Sequence, residues 1–260
     1  MLRLISLGSS FAAGPGLQPI VNKPANRSSV NYPSLLSSLL SADEHIDLSY
    51  SGATLLNILN TPQDAAPPQI EAITAAKNDG RCIVTITAGG NDLGYVGGLM
   101  LDSLWGSWLG WPLAYLASRR IKSEVIGEEE LVNRFKEVVR AVRTKIPKAE
   151  VILVGYLTLV GEDIQPGVNV PLTAEQVATG RMKAEILRRA YKRAAEEEGC
   201  EFVDVAEESK EHGVGSAEPW VSGHTWSMLW GGEVGWHPNK KGMEAVAWMV
   251  HRHIQSRESS

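Results

Sequence analysis

Short apolar runs rich in β-branched residues alternate along the chain with longer stretches that carry apolar residues at helical spacing. Runs of the first kind are typical of buried strands, and the periodic stretches are typical of amphipathic helices. Five strands are predicted, at Leu2–Leu7, Ile46–Tyr50, Cys82–Thr87, Val151–Val154 and Phe202–Val205. Helices are predicted near Tyr32–Ala42, Thr54–Leu59, Pro68–Lys77, Glu128–Lys145 and Ala174–Glu198, and from about Asn239 to Ile254.

This alternation predicts the fold class. Because parallel strands need crossover connections, which are usually helical, we expect a mostly parallel sheet with helices on both faces. The result is a three-layer α/β/α fold with five strands in a doubly wound, flavodoxin-like order. No internal repeat or interdomain linker interrupts the pattern, so residues 1–260 are expected to form a single domain.

Local signals mark helix ends and long connections. Thr173 and Gln176 form a capping-box pattern before the helix 174–198, and Gly199 predicts where that helix stops. Two long connections stand out, at 93–127 and 206–238. Because such loops are usually functional or carry small elements, the tryptophan-rich stretch at about 94–127 is interpreted as an apolar insertion.

Composition and charge exclude several function classes. The chain has 25 Lys and Arg against 30 Asp and Glu, a formal net charge of −5, which argues against a nucleic-acid partner. No apolar run is long enough to span a membrane, and the first apolar stretch is too short for a secretory signal. The two cysteines, Cys82 and Cys200, are interpreted as buried free thiols. A cytoplasmic location is therefore expected.

In a doubly wound sheet the chemistry lies at the carboxyl ends of the strands. The loop after the first strand, 8–16, has neither phosphate-loop spacing nor a following lysine, which argues against a nucleotide binder. It offers instead the hydroxyls of Ser9 and Ser10, although glycine and serine in this position also suit a plain tight turn. A serine nucleophile needs a base.

His237 is the best candidate for that base. It precedes the last predicted helix, where Pro238 suits a first-turn position, and a histidine there can reach over the strand ends to Ser10. The other histidines lack such a setting, and their spacing offers no local pair of metal ligands. No metal and no cofactor is predicted.

Two further loops at strand ends could supply oxyanion donors. An acyl-transfer site needs N–H groups aimed at the developing negative charge. The backbone N–H of Gly52 and the side-chain amide of Asn91 fit that requirement. Each loop taken alone is equally typical of a turn.

Four sequence blocks together resemble the SGNH hydrolases, also called the GDSL-type esterase and lipase family. They occur in family order and span nearly the whole chain: 8–14, 51–54, 89–94 and 236–239. The resemblance implies an SGNH hydrolase fold, with Ser10 as nucleophile and His237 as its base. It also implies an oxyanion hole made by the Ser10 N–H, the Gly52 N–H and the Asn91 amide, and a reaction through an acyl-enzyme.

The chain departs from the family pattern at two positions. Ser9 stands where the family usually has aspartate before the nucleophile. Val234 stands where the family usually has the acid of the triad, three residues before His237. Either the backbone carbonyl of Val234 or the carboxylate of Glu233 is expected to orient the histidine, and the carbonyl is favoured.

Aromatic residues flank the proposed site. Trp105, Trp108 and Trp111 recur at three-residue spacing, and Phe11 and Trp236 adjoin Ser10 and His237. These five residues are interpreted as a possible substrate pocket or lid, although 99–116 could equally be a helix that covers the core. An apolar wall would suit a small to medium acyl group and a weak contact with a lipid interface.

The prediction is a serine-dependent carboxylester hydrolase acting on a small-molecule ester. Two alternatives stay open. An acyltransferase would use the same site with an acceptor other than water. A non-catalytic binding protein would keep the fold with a damaged site, as the loss of the usual acid at Val234 suggests.

Overall fold

A computed structural model describes residues 1–74, 80–107, 125–223 and 232–258 of the chain. Its strands are β1 (Leu2–Gly8), β2 (Ile20–Asn22), β3 (Arg27–Ser28), β4 (Glu44–Asp47), β5 (Arg81–Thr87), β6 (Glu150–Val154) and β7 (Glu201–Val203). Its helices are α1 (Ser10–Ala13), α2 (Tyr32–Leu39), α3 (Leu55–Leu59), α4 (Tyr95–Trp105), α5 (Glu128–Lys145), α6 (Ala174–Glu198), α7 (Val205–Glu208) and α8 (Lys240–Glu258).

Five strands form one parallel sheet in the order β4-β1-β5-β6-β7. The first strand therefore lies inside the sheet, and the chain order reverses between β1 and β5. The predicted fold class is confirmed. The short strands β2 and β3 pair with each other as a separate antiparallel ribbon.

The helices pack in two groups, α2 with α8 and α5 with α3 and α6, while α4 packs on α6. The central strands β1 and β5 are buried along nearly their whole length. Ile5 and Val84, paired across these strands, are fully buried. Since burying such a side chain contributes roughly 1.5–3 kcal/mol, these strands are a rigid base for the loops at their carboxyl ends.

The capping signals are confirmed. Thr173 and Gln176 form a reciprocal capping box at the start of α6, and Gly199 ends that helix in a left-handed conformation with φ 57°. A second capping box joins Thr54 to Asn57 at the start of α3.

The predicted helix Pro68–Lys77 is wrong where the structure describes it. The backbone N–H groups of Gln69 and Ile70 donate to the carbonyls of Asn57 and Ile58, so this segment is tied to α3. The bonds that follow span only three residues, as in a succession of turns. Positions 75–79 lie outside the described residues.

Several boundaries also differ from prediction, and three of them have a clear structural reason. The edge strand β4 begins at Glu44, earlier than the apolar run, because its ladder with β1 uses backbone groups and needs no apolar side chains. The last strand ends at Val203, where α7 soon follows. Pro238 lies before α8 and not in its first turn, since the side chain of Asn239 accepts from the Gly242 N–H and caps the helix.

The long connections are partly described. The first contains α4, and positions 108–124 and 224–231 lie outside the described residues. None of the described helices combines the length and apolar character needed to cross a membrane. Both cysteines are free; Cys82 is buried, as predicted, whereas Cys200 is only half-buried.

Candidate active site

Ser10 lies where the sheet meets its first helical turn. β1 ends at Gly8, the Ser9 N–H donates to the Thr87 carbonyl at 2.8 Å, and α1 starts at Ser10. A Cβ at Gly8 would come within 2.5 Å of the Thr87 carbonyl oxygen, so only glycine fits there. Gly14, in the left-handed region, ends the turn by donating its N–H to the Ser10 carbonyl at 3.0 Å. The nucleophile candidate is thus fixed directly to the end of the sheet.

The segment carrying His237 is held by short antiparallel pairing. The Trp236 N–H donates to the Ser222 carbonyl at 2.7 Å, and the Ser222 N–H donates to the His237 carbonyl at 2.9 Å. This pairing brings the His237 Nε2 to 2.9 Å from the Ser10 Oγ, across 227 positions of sequence. The structure therefore brings together the two residues that the sequence analysis proposed as nucleophile and base.

The group that orients His237 differs from the prediction. The Nδ1 atom lies 2.9 Å from the carbonyl oxygen of Gly235, so the predicted Val234 carbonyl is wrong. Glu233 is wrong as well, because the Gly235 carbonyl takes the single proton on Nδ1, while the exposed Glu233 carboxylate accepts a hydrogen bond from the Ser222 hydroxyl. Since a carbonyl only accepts, Nδ1 carries the proton, and Nε2 is free to accept the Ser10 hydroxyl proton.

The conformation of Trp236 explains this change of carbonyl. Trp236 has φ 61°, a left-handed conformation that costs a non-glycine residue roughly 1–2 kcal/mol. The resulting sharp turn places the Gly235 carbonyl, two residues before His237, on the imidazole. The indole N–H of Trp236 donates to the Ser103 hydroxyl at 2.9 Å, and both residues are buried. The strained turn is thereby attached to α4.

Burial sets the protonation state of His237. The side chain is deeply buried, and burial lowers its pKa from 6.5 to about 4, while the bond to the Gly235 carbonyl acts in the opposite direction. No carboxylate among the described residues counts among the causes of this shift. The imidazole is consequently neutral near pH 7, as a general base must be.

The predicted oxyanion donors lie in the loops that follow β4 and β5, the two strands paired with β1. Gly52 is exposed and has φ 86°, a conformation that favours glycine. Within the part of the chain that the structure describes, no acceptor takes up the N–H of Gly52 or of Ser10. The Asn91 amide donates one N–H to the Ala53 carbonyl at 2.8 Å. An amide nitrogen carries two N–H groups, so the second can serve an oxyanion.

Asp92 ties two of these loops together, and the sequence analysis missed this role. Its buried carboxylate accepts from the Leu55 N–H at 3.0 Å and from the Arg134 guanidinium at 3.1 Å. Burial raises the pKa of Asp92, and these two donors act in the opposite direction. The loops bearing Gly52 and Asn91 are therefore locked to each other through α3. The acidic residue directly after Asn91 was the available signal.

The predicted pocket residues lie in different environments. Phe11 is buried and stacks on Tyr156, with ring centroids 3.9 Å apart, while its centroid lies 5.5 Å from that of His237. Trp236 is buried in the contact with Ser103. Trp105, at the end of α4, is 49% exposed. Trp108 and Trp111 lie outside the described residues.

A cavity of about 400 Å³ lies beside the loop of Gly52. Gln63 connects the two, since it lines the cavity and its amide donates to the Ser51 carbonyl at 2.9 Å. Most of the remaining lining is apolar or aromatic: Pro24, Leu48, Tyr50, Ala65, Ala66, Pro67 and Ala72. Among the described residues, no group of three or more His, Cys, Asp or Glu is arranged to hold a metal ion.

Comparison with known proteins places this geometry in a family. The model of the GDSL-like lipase/acylhydrolase family matches residues 6–245. Lipase 2 of Streptomyces coelicolor is 28% identical over 262 residues, which cover 95% of this chain and 83% of that protein. Among solved structures, the extracellular lipase of Streptomyces rimosus aligns with a TM-score of 0.71 and 20% identity over 97% of this chain and 99% of the lipase. The phospholipase A1 of Streptomyces albidoflavus aligns with a TM-score of 0.69 and 19% identity over 96% and 98% of the two chains. The two structural likenesses show a shared fold, and the match over residues 6–245 shows that this chain belongs to the GDSL-like lipase/acylhydrolase family and is a carboxylic ester hydrolase.

Proposed function

We propose that this chain hydrolyses esters by serine catalysis, with Ser10 as nucleophile and His237 as general base. One observation carries the proposal. The His237 Nε2 lies 2.9 Å from the Ser10 Oγ while Nδ1 lies 2.9 Å from a backbone carbonyl. Only the tautomer with its proton on Nδ1 satisfies both contacts, and that tautomer is the one that can take the serine proton.

The reaction would proceed in two halves. In the first, Nε2 takes the Ser10 proton while Oγ attacks the ester carbonyl carbon, and the carbonyl oxygen becomes an oxyanion. The N–H groups of Ser10, Gly52 and Asn91 would stabilise that charge. The imidazolium then protonates the leaving alcohol, which leaves an acyl group on Ser10. In the second half, water gives a proton to Nε2 and its oxygen attacks the acyl carbon. The bond from that carbon to the Ser10 Oγ then breaks, the imidazolium returns the proton to Oγ, and the acid product departs.

The orienting carbonyl distinguishes this site from a triad with a buried carboxylate. A carbonyl dipole fixes the ring and its tautomer, but it stabilises the imidazolium less than a full negative charge does. The pKa of about 4 fits that difference, because deep burial without a carboxylate partner favours the neutral ring. We therefore propose a Ser-His dyad oriented by the Gly235 carbonyl.

The substrate proposal is a small to medium apolar acyl ester. The cavity beside the Gly52 loop, whose lining is a little more than half apolar or aromatic, and the exposed Trp105 support it. The cavity offers apolar surface near the proposed oxyanion hole, and Trp105 offers it at the end of α4. The names lipase and phospholipase A1, borne by proteins of similar sequence or fold, agree with an acyl ester. The exposed Trp105 also supports the predicted weak contact with a lipid interface. The cytoplasmic location stays a prediction, supported by two free cysteines.

The test is hydrolysis of p-nitrophenyl esters from acetate to laurate by the wild-type chain and by Ser10→Ala. Ser38→Ala is the matched control, because this exposed serine on α2 bonds only its own helix backbone. We expect turnover in the wild type and in the control, and its loss in Ser10→Ala. Turnover that survives in Ser10→Ala would refute the serine mechanism. The chain-length optimum tests the substrate class.

A further inference from the structure

Tyr156 lies directly beneath the turn that carries Ser10. It follows β6 by two residues, and its buried hydroxyl is 2.8 Å from the Ser9 Oγ. Its ring stacks on Phe11 with an interplanar angle of 13°. Ser9 and Phe11 flank Ser10 in the chain, so one side chain contacts both neighbours of the proposed nucleophile.

The same side chain contacts a second loop of the site. A Cβ at Gly90 would come within 2.6 Å of the Tyr156 ring and 3.0 Å of its hydroxyl oxygen. The backbone of Gly90 also interacts with that hydroxyl. Gly90 directly precedes Asn91, whose amide is a proposed oxyanion donor. Tyr156 therefore links the residue before Ser10 with the residue before Asn91.

We propose that Tyr156 is a positioning residue that holds the Ser10 N–H and the Asn91 amide at a fixed separation. This inference rests on the proposed function, because the separation matters only if both groups stabilise one oxyanion. Preorganised donors are effective when they need no rearrangement as charge develops. The Ser9–Tyr156 bond also gives Ser9 a local partner at the position where the family usually has aspartate.

The first test removes the hydroxyl and keeps the ring. In Tyr156→Phe the stacking on Phe11 is retained, while Ser9 and Gly90 lose their common partner. We expect kcat for p-nitrophenyl butyrate to fall about tenfold and KM to change less than about twofold, since misplaced donors weaken transition-state binding in particular. Ser9→Ala is expected to give the same loss by breaking the bond from its other end. The double variant is expected to be no worse than either single variant.

Tyr95→Phe is the matched control. Tyr95 is buried like Tyr156, but its hydroxyl has no hydrogen-bond partner among the described residues. Its replacement therefore removes the same atom without breaking a contact, and kcat is expected to stay at the wild-type value. Inactivation by a p-nitrophenyl phosphonate, which places a charged oxygen in the same hole, gives a second readout. Its rate is expected to fall in Tyr156→Phe and Ser9→Ala and not in Tyr95→Phe.

The outcomes separate the two proposals. A wild type that turns over esters, with Tyr156→Phe and Ser9→Ala equally active, overturns the positioning role and leaves the proposed function intact. Additive losses in the double variant, or an equal loss in Tyr95→Phe, also overturn it. A folded wild type without turnover on any ester refutes the proposed function, and the inference that depends on it falls too. Ser9→Ala keeps the question decidable if Tyr156→Phe fails to fold.

Discussion

Ser10 and His237 lie 2.9 Å apart but are held in different ways. Ser10 follows a central strand whose last residue, Gly8, bonds through both N–H and carbonyl to the buried amide of Gln69, each at 2.9 Å. His237 lies in a loop held by pairing with Ser222 and by the strained turn at Trp236. The position of Ser10 thus depends on the central sheet, which is lost only when the whole fold unfolds. The base depends on a few local contacts, so we expect its position to be the more easily disturbed.

The largest effect is expected from His237→Ala. Without the base, the Ser10 hydroxyl is a weak nucleophile near pH 7, and kcat/KM should fall on the order of 10³-fold. His251→Ala on α8 is the control, because this histidine contacts Trp248, away from the site. Ester hydrolysis by both variants measures the difference. Residual activity within about tenfold of wild type would contradict the role of His237.

Gln69→Leu tests how Ser10 is held at the end of β1. It leaves the Gly8 N–H buried without its acceptor, so the free energy of unfolding should fall by about 2 kcal/mol. Because β1 stays paired with β5, kcat of the folded enzyme should change less than about twofold. Urea unfolding and kcat together make the measurement, with the exposed Gln165→Leu as control. A large loss of kcat at unchanged stability would show that the position of Ser10 is more easily disturbed than the proposed contrast with His237 allows.

The pH dependence of kcat/KM tests the surroundings of His237, because the protonation state of this base controls the reaction. With a pKa of about 4, His237 stays neutral over most of the acidic range. Below that pKa, kcat/KM should fall about tenfold per pH unit, because the protonated ring cannot accept the serine proton. The unfolded chain binds this proton from about pH 6.5 downward, and the folded chain only near pH 4. Hence this group makes stability rise with pH between those values. An acid limb near pH 6.5 would show that the imidazole is less buried or paired with a carboxylate.

Ser103→Ala tests how the turn that carries His237 is held, and it is expected to have the smallest effect on stability. It leaves the Trp236 indole N–H without its acceptor, which should lower the free energy of unfolding by about 1 kcal/mol. Loosening the turn should misplace the Gly235 carbonyl and lower kcat about fivefold, a larger relative loss than in Gln69→Leu. Ser107→Ala is the control, since that serine bonds only the Leu104 carbonyl. An unchanged kcat would show that the turn holds without this bond.

Sequence patterns predict the elements that local interactions determine better than those that depend on contacts between distant segments of the chain. The bounds of α5 and α6 match the prediction because apolar spacing and capping residues are local signals. Over its described part, the helix predicted at Pro68–Lys77 is wrong. The segment is bonded to α3 and continues as turns spanning three residues, and a local pattern does not report the contact with α3. The order of the strands followed from their alternation with helices and the rules for parallel sheets.

The same distinction applies to the site. Ser10, Gly52, Asn91 and His237 could be proposed because they lie in short blocks at strand ends. The Gly235 carbonyl could not be proposed, since every residue has a carbonyl. Which carbonyl contacts His237 depends on the positive φ of Trp236, and a tryptophan in the sequence does not indicate a positive φ. Tyr156 was missed because 147 positions separate it from Ser9.

The bond between Trp236 and Ser103 has a consequence for engineering. It makes the insertion that begins with α4 a partner of the base-bearing turn, although the two segments are 133 positions apart. A chimaera that receives the 94–127 insertion of another family member therefore also receives a new support for His237. We expect such a graft to keep the full kcat only if the donor segment supplies an acceptor for the indole N–H, whatever acyl group its own surface selects.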